Sequence, residues 1–200
     1  LSSFQLEDLT KSPHIAVVLP ITQDHLVNID PLATSFHKSR EEYVDAKSSI
    51  VRFQTQKDTV IANLDNEVSK SFATLSPGTK YFVSRKENTD PLRRSSSEAS
   101  AYVVDHGVFV RWDDKTHKVC GQDEIHLRGE HNLENIGAAS LTALAAGATL
   151  HAVRDGAKQF KGLPHRLELV GTVSGVSFYN DSFSTVPETT IAAIKSFDEP

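Results

Sequence analysis

A run of five apolar residues, Ile15 to Leu19, constrains the fold more than any other feature of this sequence. Because no polar residue alternates along the run, it predicts a strand that is buried on both faces, as in a parallel sheet. Polar residues 20–25 follow at once, where open α/β sheets gather their ligands. Residues 58–63 and 80–84 are expected to form the next two strands.

A helix is predicted between the first two of these strands. Residues 39–42 read SREE and fit a capping box, in which a serine side chain accepts backbone N–H groups at the helix start. Apolar residues then recur at helical spacing, at Tyr43, Ala46, Ile50 and Phe53. The helix is expected to end near residues 54–57. This strand–helix–strand order predicts an α/β fold with parallel pairing.

The middle of the chain predicts a hairpin and two helices. Residues 101–104 and 108–112 flank the turn sequence Asp-His-Gly, which favours an antiparallel hairpin. Before it, residues 85–100 are polar and are expected to form an exposed loop. Residues 130–147, rich in alanine and leucine, predict a long helix, and residues 152–160 a shorter one.

A new α/β unit is expected to begin near Gly162. Strands are predicted at residues 167–170 and 176–179, with Ser174 and Gly175 in the turn between them. A second capping box at residues 185–188 then starts a helix that is expected to reach about residue 197. We therefore expect two domains, residues 1–160 and residues 161–200.

Composition limits the classes of function. The net charge of −5 disfavours a nucleic-acid partner, and small-molecule partners are easier to support. No apolar run approaches the roughly 20 residues that cross a bilayer, so no membrane insertion is expected, and a cytoplasmic location is the default expectation. The chain has no methionine and opens on LSSFQLE, which we interpret as a fragment; a processed mature chain is the alternative.

Two residues are candidates for metal chemistry. Lys47 shares or borders the apolar face of the first helix, so it either extends its ammonium to water or has a lowered pKa. In the second case the neutral amine could take up carbon dioxide, and the resulting carbamate could hold a divalent cation. His25, after Asp24 near a strand end, could be a metal ligand, a base or a hydrogen-bonded cap.

Other candidates suit a nucleotide. Asn132 and Asn135 lie three residues apart at a helix start, where amides either read a purine edge or cap the helix. Arg166 is a candidate phosphate cation and Asp181 a candidate ribose acceptor. Phe183, by contrast, is a large apolar residue in an otherwise polar turn, and it needs a separate explanation.

Seven motifs follow one another across nearly the whole chain, and they are LSSFQLE, TQDHL, EEYVDAKSSI, IANLD, GEHNLEN, FKGLPHRLELV and FYNDSFSTVPETTIAAI. In their order and approximate spacing they resemble the Mur ligases, most closely the glutamate-adding branch. The resemblance implies part of a P-loop-type central ATPase domain, followed by the start of a Rossmann-like C-terminal domain. It also implies an ATP- and Mg²⁺-dependent ligase of peptidoglycan synthesis, expected to be a monomer, that joins glutamate to UDP-N-acetylmuramoyl-L-alanine through an acyl phosphate.

The resemblance also implies roles for individual residues. His25 and a carbamylated Lys47 would hold magnesium and serve catalysis. Asn132 and Asn135 would contact the adenine side of ATP, Arg166 its phosphates and Asp181 its ribose. The remaining positions would line the muramoyl or glutamate substrate, and they are Ser2, Ser3, Gln5, Phe183 and Thr185.

Departures from the family pattern leave alternatives open. No phosphate loop of the form GxxGK[ST] is present, and in the family it lies upstream of Leu1, as does a metal-binding glutamate, so the fragment alone is expected to be inactive. Residues 28–36 are extra compared with the family pattern, and His37 is expected to take the place of a later histidine of the family.

Phe183 replaces a lysine typical of D-glutamate enzymes, so the glutamate isomer stays open. A non-catalytic nucleotide-binding relative and a folate-polyglutamating ligase are the alternative functions.

Overall fold

The computed structural model describes residues 1–22, 37–85, 99–184 and 187–197. Six strands form the main sheet in the order β1 to β6, which is also their order along the chain. Strands β1 to β4 are parallel, whereas β5 and β6 add to the β4 edge in antiparallel pairing. The elements of this part are α1 (Ser3–Leu6), β1 (Ile15–Val18), α2 (Arg40–Arg52), β2 (Thr59–Asn63), α3 (Glu67–Leu75), β3 (Thr79–Ser84), β4 (Ser100–Val104), β5 (Gly107–Trp112), β6 (Lys115–Gly121), α4 (Glu130–Ala145) and α5 (Leu150–Gln159).

Strand β2 is buried on both faces. In β1, for which burial on both faces is predicted, Ala16 and Val18 are buried but Ile15 and Val17 are half-buried, and Leu19 lies outside the strand at 41% exposed. Consecutive residues Val60, Ile61 and Ala62 of β2 have no exposed surface, and they point alternately to opposite sides. One side packs with α2 and α3 in a cluster that includes Tyr43, Val51 and Phe72. The other packs with α4 in a cluster that includes Leu133 and Leu141. The two clusters make a helix–sheet–helix sandwich.

Side-chain caps fix where the helices begin. Ser39 Oγ accepts the backbone N–H of Glu42 at 3.2 Å, which confirms the predicted start of α2. The carboxylate of Glu42 accepts the N–H of Lys38 rather than that of Ser39, so only half of the capping box forms. The helix ends at Arg52, earlier than residues 54–57. Neither α3, which Asn66 caps, nor strand β6 is predicted by the sequence patterns.

Both hairpins described in the main sheet turn through two residues with left-handed backbone. The β4–β5 turn is Asp105-His106, with φ of 47° and 55°, and Gly107 is already the first residue of β5. The β5–β6 turn uses Asp113 and Asp114. Paired positive φ values match the right-handed twist of the strands, which explains why such turns recur.

The last part of the described chain forms a second, two-stranded sheet. Its antiparallel strands are β7 (Glu168–Val173) and β8 (Val176–Asn180), followed by α6 (Pro187–Ile194). The predicted turn at Ser174 and Gly175 is confirmed, with φ of 52° and 83°. Pro187 starts α6, where its missing N–H costs nothing. The domain boundary near residue 160 stays a prediction.

Candidate nucleotide and substrate site

Polar side chains join the carboxyl ends of the neighbouring strands β1, β2 and β3. Asn66 Oδ1 accepts the N–H of Ser69, and Ser69 Oγ donates to the carbonyl of Val18 at 2.6 Å. Asp65 accepts both the hydroxyl of Ser84 and the N–H of Arg85. These hydrogen bonds give the edge of the sheet a fixed shape. Ligands in open α/β sheets bind beyond this edge.

Glu134 connects this edge of the sheet to helix α4. Its side chain is only 4% exposed, and its carboxylate accepts hydrogen bonds from Asn63 Nδ2 and from Arg85 Nε. A buried carboxylate needs such partners, because removing a charge from water is costly. Glu134 was not among the sequence candidates, since nothing in the sequence shows that it meets Asn63.

Asn132 and Asn135 lie on one side of the first turns of α4, as their spacing predicts. Asn132 Nδ2 donates to the carbonyl of Arg128 at 2.8 Å, and Asn135 Nδ2 donates to Asn132 Oδ1 at 3.3 Å. Both side chains are half-buried. The two amides therefore form one hydrogen-bonded pair, which presents a polar surface suited to a heterocyclic base.

The charges of Arg166 and Asp181 act on His131 at the start of α4. Burial lowers the pKa of His131, and the positive charges of Arg85 and Arg166 lower it further, while the carboxylate of Asp181 opposes them. Such effects require the charged groups to lie near the imidazole. Two residues predicted from the sequence, Arg166 and Asp181, thus lie in the same region as α4, and Arg85 is an additional cation there.

Asp181 also has a structural contact with the loop that carries Arg166. Its Oδ1 accepts the N–H of Leu167 at 3.0 Å, and its Oδ2 accepts the hydroxyl of Ser184 at 2.5 Å. The N–H of Phe183 donates to the carbonyl of His165 at 3.1 Å. The turn at residues 180–184 and the loop before β7 are therefore hydrogen-bonded to each other.

Phe183 is held by its backbone and exposes its ring. The residue is 67% exposed, so it is not a core residue that happens to lie in a polar turn. The exposed aromatic ring, two residues after Asp181, is available to contact a ligand or another part of the protein.

The residues near the N-terminus form a separate group around α1 and α2. Ser2 and Gln5 bond each other in a capping box, with Gln5 N to Ser2 Oγ at 3.2 Å. Ser3 is fully buried, and its Oγ bonds Nε2 of the buried His37 at 2.8 Å. The structure gives these serines and Gln5 local structural contacts; their predicted substrate role stays a prediction.

Lys47 joins the same group through an aromatic residue. The His37 ring stacks on Phe4, with centroids 4.6 Å apart, and meets the Tyr43 ring edge-on. Tyr43 in turn lies under the half-buried side chain of Lys47. The described residues thus bring Ser3, His37 and Lys47 into one cluster.

Some predicted site residues lie outside the described ranges. These are His25, Thr185 and the extra residues 28–36, together with most of the expected loop at 85–100. Within the described ranges, no group of three or more His, Cys, Asp or Glu side chains is placed to hold a metal ion. No helix in those ranges is long and apolar enough to span a membrane.

Comparison with known proteins assigns the family. The fold and site define an α/β domain with a polar site beyond the carboxyl edge of a parallel sheet. The family profile described as the Mur ligase middle domain matches residues 1–143. The chain therefore belongs to the Mur ligase family, as the seven sequence motifs predict.

Two curated relatives match the whole chain. UDP-N-acetylmuramoylalanine–D-glutamate ligase of Symbiobacterium thermophilum is 38% identical over 200 residues, and that of Acetivibrio thermocellus is 36% identical over 199. The chain spans 41% and 39% of the lengths of these relatives.

Solved structures share the fold at lower identity. MurF from Acinetobacter baumannii superposes with a TM-score of 0.65 at 22% identity, covering 92% of this chain and 37% of that one. Folylpolyglutamate synthetase from Lactobacillus casei gives a TM-score of 0.55 at 15% identity, covering 94% of this chain and 44% of that one. These likenesses confirm the α/β fold.

Proposed function

We propose that these residues belong to an ATP-dependent ligase that adds glutamate to UDP-N-acetylmuramoyl-L-alanine in peptidoglycan biosynthesis, in the cytoplasm. The observation that carries the proposal is that Arg166 and Asp181 are near enough to His131, at the start of α4 beside Asn132 and Asn135, for their charges to influence its pKa. Together these residues supply amides for a base, a cation for phosphates and a carboxylate for a ribose. The two relatives matched along the whole chain act on the same class of substrate, according to their names.

The chemistry assigned to these residues is binding and charge stabilisation. In the proposed reaction a carboxylate oxygen of the muramoyl-alanine attacks the γ-phosphorus of ATP, ADP leaves, and an acyl phosphate forms. The amine of glutamate then attacks that carbonyl carbon, inorganic phosphate leaves, the amine loses a proton, and an amide forms. Arg166 would hold phosphate oxygens, while Asn132 and Asn135 orient the adenine; positioning of this kind accounts for most catalysis of phosphoryl transfer.

The substrate-binding residues of this proposal lie in two places. Ser2, Ser3 and Gln5 are assigned to the muramoyl substrate, and Phe183 and Thr185 to glutamate. The exposed ring of Phe183 in the turn that holds Asp181 supports the second assignment.

Magnesium would be held by oxygen and nitrogen ligands at His25 and at a carbamylated Lys47. The half-buried position of Lys47 on α2 fits a modified side chain that is partly shielded from water. When bound, Mg²⁺ would offset the negative charge of the phosphates. The ammonium form of Lys47 has no oxygen atoms, so the carbamate is what makes the site suitable for this ion.

The glutamate isomer is proposed to be D, as in the curated relatives, with L as the second candidate. Phe183 favours the second candidate, because it replaces a lysine that the D-specific pattern uses to hold the amino acid. A phenyl ring cannot pair with a substrate carboxylate, so the position would act through shape instead.

The test is phosphate release from ATP by a ligase that carries these residues within the full length of the relatives. Release is expected only when UDP-N-acetylmuramoyl-L-alanine and glutamate are both present. D- and L-glutamate are compared side by side, and Phe183→Lys is expected to raise the use of D-glutamate relative to L. Turnover with folate alone would reject the peptidoglycan role. Nucleotide binding without turnover would favour a non-catalytic relative.

A further inference from the structure

The loop that carries Arg166 has an unusual backbone. Leu167 has φ of 47°, and His165 and Gly162 in the same loop have φ of 63° and 97°. Glycine adopts positive φ without strain, but a bulky residue such as leucine does so rarely, because its Cβ meets the following carbonyl oxygen. Leu167 therefore needs outside contacts to stay in this conformation.

Those contacts come from the turn after β8. Asp181 Oδ1 accepts the N–H of Leu167 at 3.0 Å, and the hydroxyl of Ser184 holds the other carboxylate oxygen at 2.5 Å. Two hydrogen bonds to His165 join the same turn and loop. The N–H of Phe183 donates to the His165 carbonyl at 3.1 Å, and Asn180 Nδ2 lies 2.9 Å from His165 Nδ1. The strained residue is thus fixed by one carboxylate that is itself held in place.

The conformation of Leu167 matters because its neighbour is Arg166. The side chain of Arg166 is exposed, and it lies before β7, so no regular element directs it. The backbone conformation of the loop therefore sets the direction in which the Arg166 side chain points. If Leu167 relaxed to negative φ, the chain on either side would rotate and the guanidinium would point elsewhere.

We propose that Asp181 is a positioning residue for Arg166: by accepting the N–H of Leu167 it holds the strained backbone that aims the guanidinium at the nucleotide phosphates. This inference rests on the proposed function, which makes Arg166 a phosphate ligand. It gives Asp181 a task separate from any contact with the ribose.

The test is a double-mutant cycle in a ligase that carries these residues within the full length of the relatives. Dissociation constants are measured for ATP and for adenosine, and the ratio between them reports the phosphate contacts. Arg166→Ala sets the size of the effect when the guanidinium is absent. Asp181→Ala is then compared in two backgrounds, native Leu167 and Leu167→Gly, because glycine adopts positive φ without needing the carboxylate.

We expect Arg166→Ala and Asp181→Ala each to weaken ATP binding about tenfold more than adenosine binding. In the Leu167→Gly background, the loss caused by Asp181→Ala should shrink to about threefold or less. Asp181→Asn keeps an acceptor for the N–H of Leu167, so it should retain most of the ATP affinity. Leu167→Asn serves as a third background, because asparagine tolerates positive φ while keeping less freedom than glycine.

An equal loss of ATP affinity on Asp181→Ala in all three backgrounds would overturn the inference, since the carboxylate would then act by direct contact alone. If Arg166→Ala leaves the ATP affinity unchanged, the proposed phosphate role of Arg166 is wrong, and the inference falls with it. The two failures are thus distinguished by the Arg166→Ala result.

Discussion

The Nζ atom of Lys47 lies 4.9 Å from the centroid of the Tyr43 ring, one helical turn earlier on α2. A cation over an aromatic face is stabilised by the ring quadrupole, so this contact favours the charged ammonium. Carbamylation requires the neutral amine and yields an anion. The modification predicted from the sequence would therefore give up this contact, and ligands of the carbamate would have to replace it.

The first prediction is that Lys47 carries a carbamate in the ligase that contains these residues. With ¹³C-bicarbonate and magnesium nucleotide present, a carbamate carbon resonance is expected, and it should disappear in Lys47→Arg. Lys70→Arg is the matched control, since Lys70 is an exposed lysine on the neighbouring helix α3. A signal that persists in Lys47→Arg, or one that never forms, would argue against the metal-binding role of Lys47.

The second prediction concerns the buried carboxylate of Glu134. Glu134→Ala leaves Asn63 Nδ2 and Arg85 Nε without their acceptor. We expect the free energy of unfolding in urea to fall by about 2 kcal/mol or more. Glu130→Ala, on the same helix but with a side chain 64% exposed, should cost less than about 1 kcal/mol. Equal losses in the two variants would mean that the Glu134 contacts contribute little.

The third prediction is a pH dependence from Glu124. Two hydrogen bonds lower the pKa of Glu124 from 4.5 to about 2. The larger effect comes from Lys158, whose Nζ lies 2.5 Å from the carboxylate, and the smaller one from the N–H of Gly121. Because the folded-state pKa is the lower one, this carboxylate adds stability above pH 4.5 that is lost as the pH falls toward about 2. Glu124→Gln should therefore flatten the stability profile in that range, measured by thermal unfolding. Asp123→Asn is the neighbouring control, and an unchanged profile in Glu124→Gln would refute the assignment.

The fourth prediction concerns the β5–β6 turn. Asp113 and Asp114 have φ of 49° and 60°, a conformation in which glycine is favoured at the second position. Asp114→Gly should raise the free energy of unfolding by about 0.5 to 1 kcal/mol. Gly175→Ala, in the corresponding turn of the second sheet with φ of 83°, should have the opposite effect. A loss of stability in Asp114→Gly would show that backbone strain is not what limits this turn.

Elements with a strong local signal were predictable from the sequence. Strand β1 is a continuous apolar run, β2 and β3 each contain three consecutive apolar residues, and the capping serine Ser39 marks the start of α2. Strand β6 was missed because its first half, KTHK, is mostly exposed and its turn contains no glycine. The local pattern therefore does not distinguish it from a loop.

The site was predictable only as a set of residue types. The sequence suggests amides, an arginine and an aspartate, but it does not show that Arg166 lies in the loop that Asp181 stabilises. Glu134 was missed for the same physical reason. Its burial depends on Asn63, 71 positions earlier in the chain, and such tertiary contacts leave no trace in local periodicity.

The most direct measurement of the central claim follows the oxygen atoms of the acceptor. UDP-N-acetylmuramoyl-L-alanine labelled with ¹⁸O in its alanine carboxylate is turned over with ATP and glutamate by the ligase that contains these residues. Formation of an acyl phosphate followed by attack of the amine transfers one carboxylate oxygen to the released phosphate. The account predicts phosphate carrying one ¹⁸O atom for each amide formed, and unlabelled phosphate would contradict it.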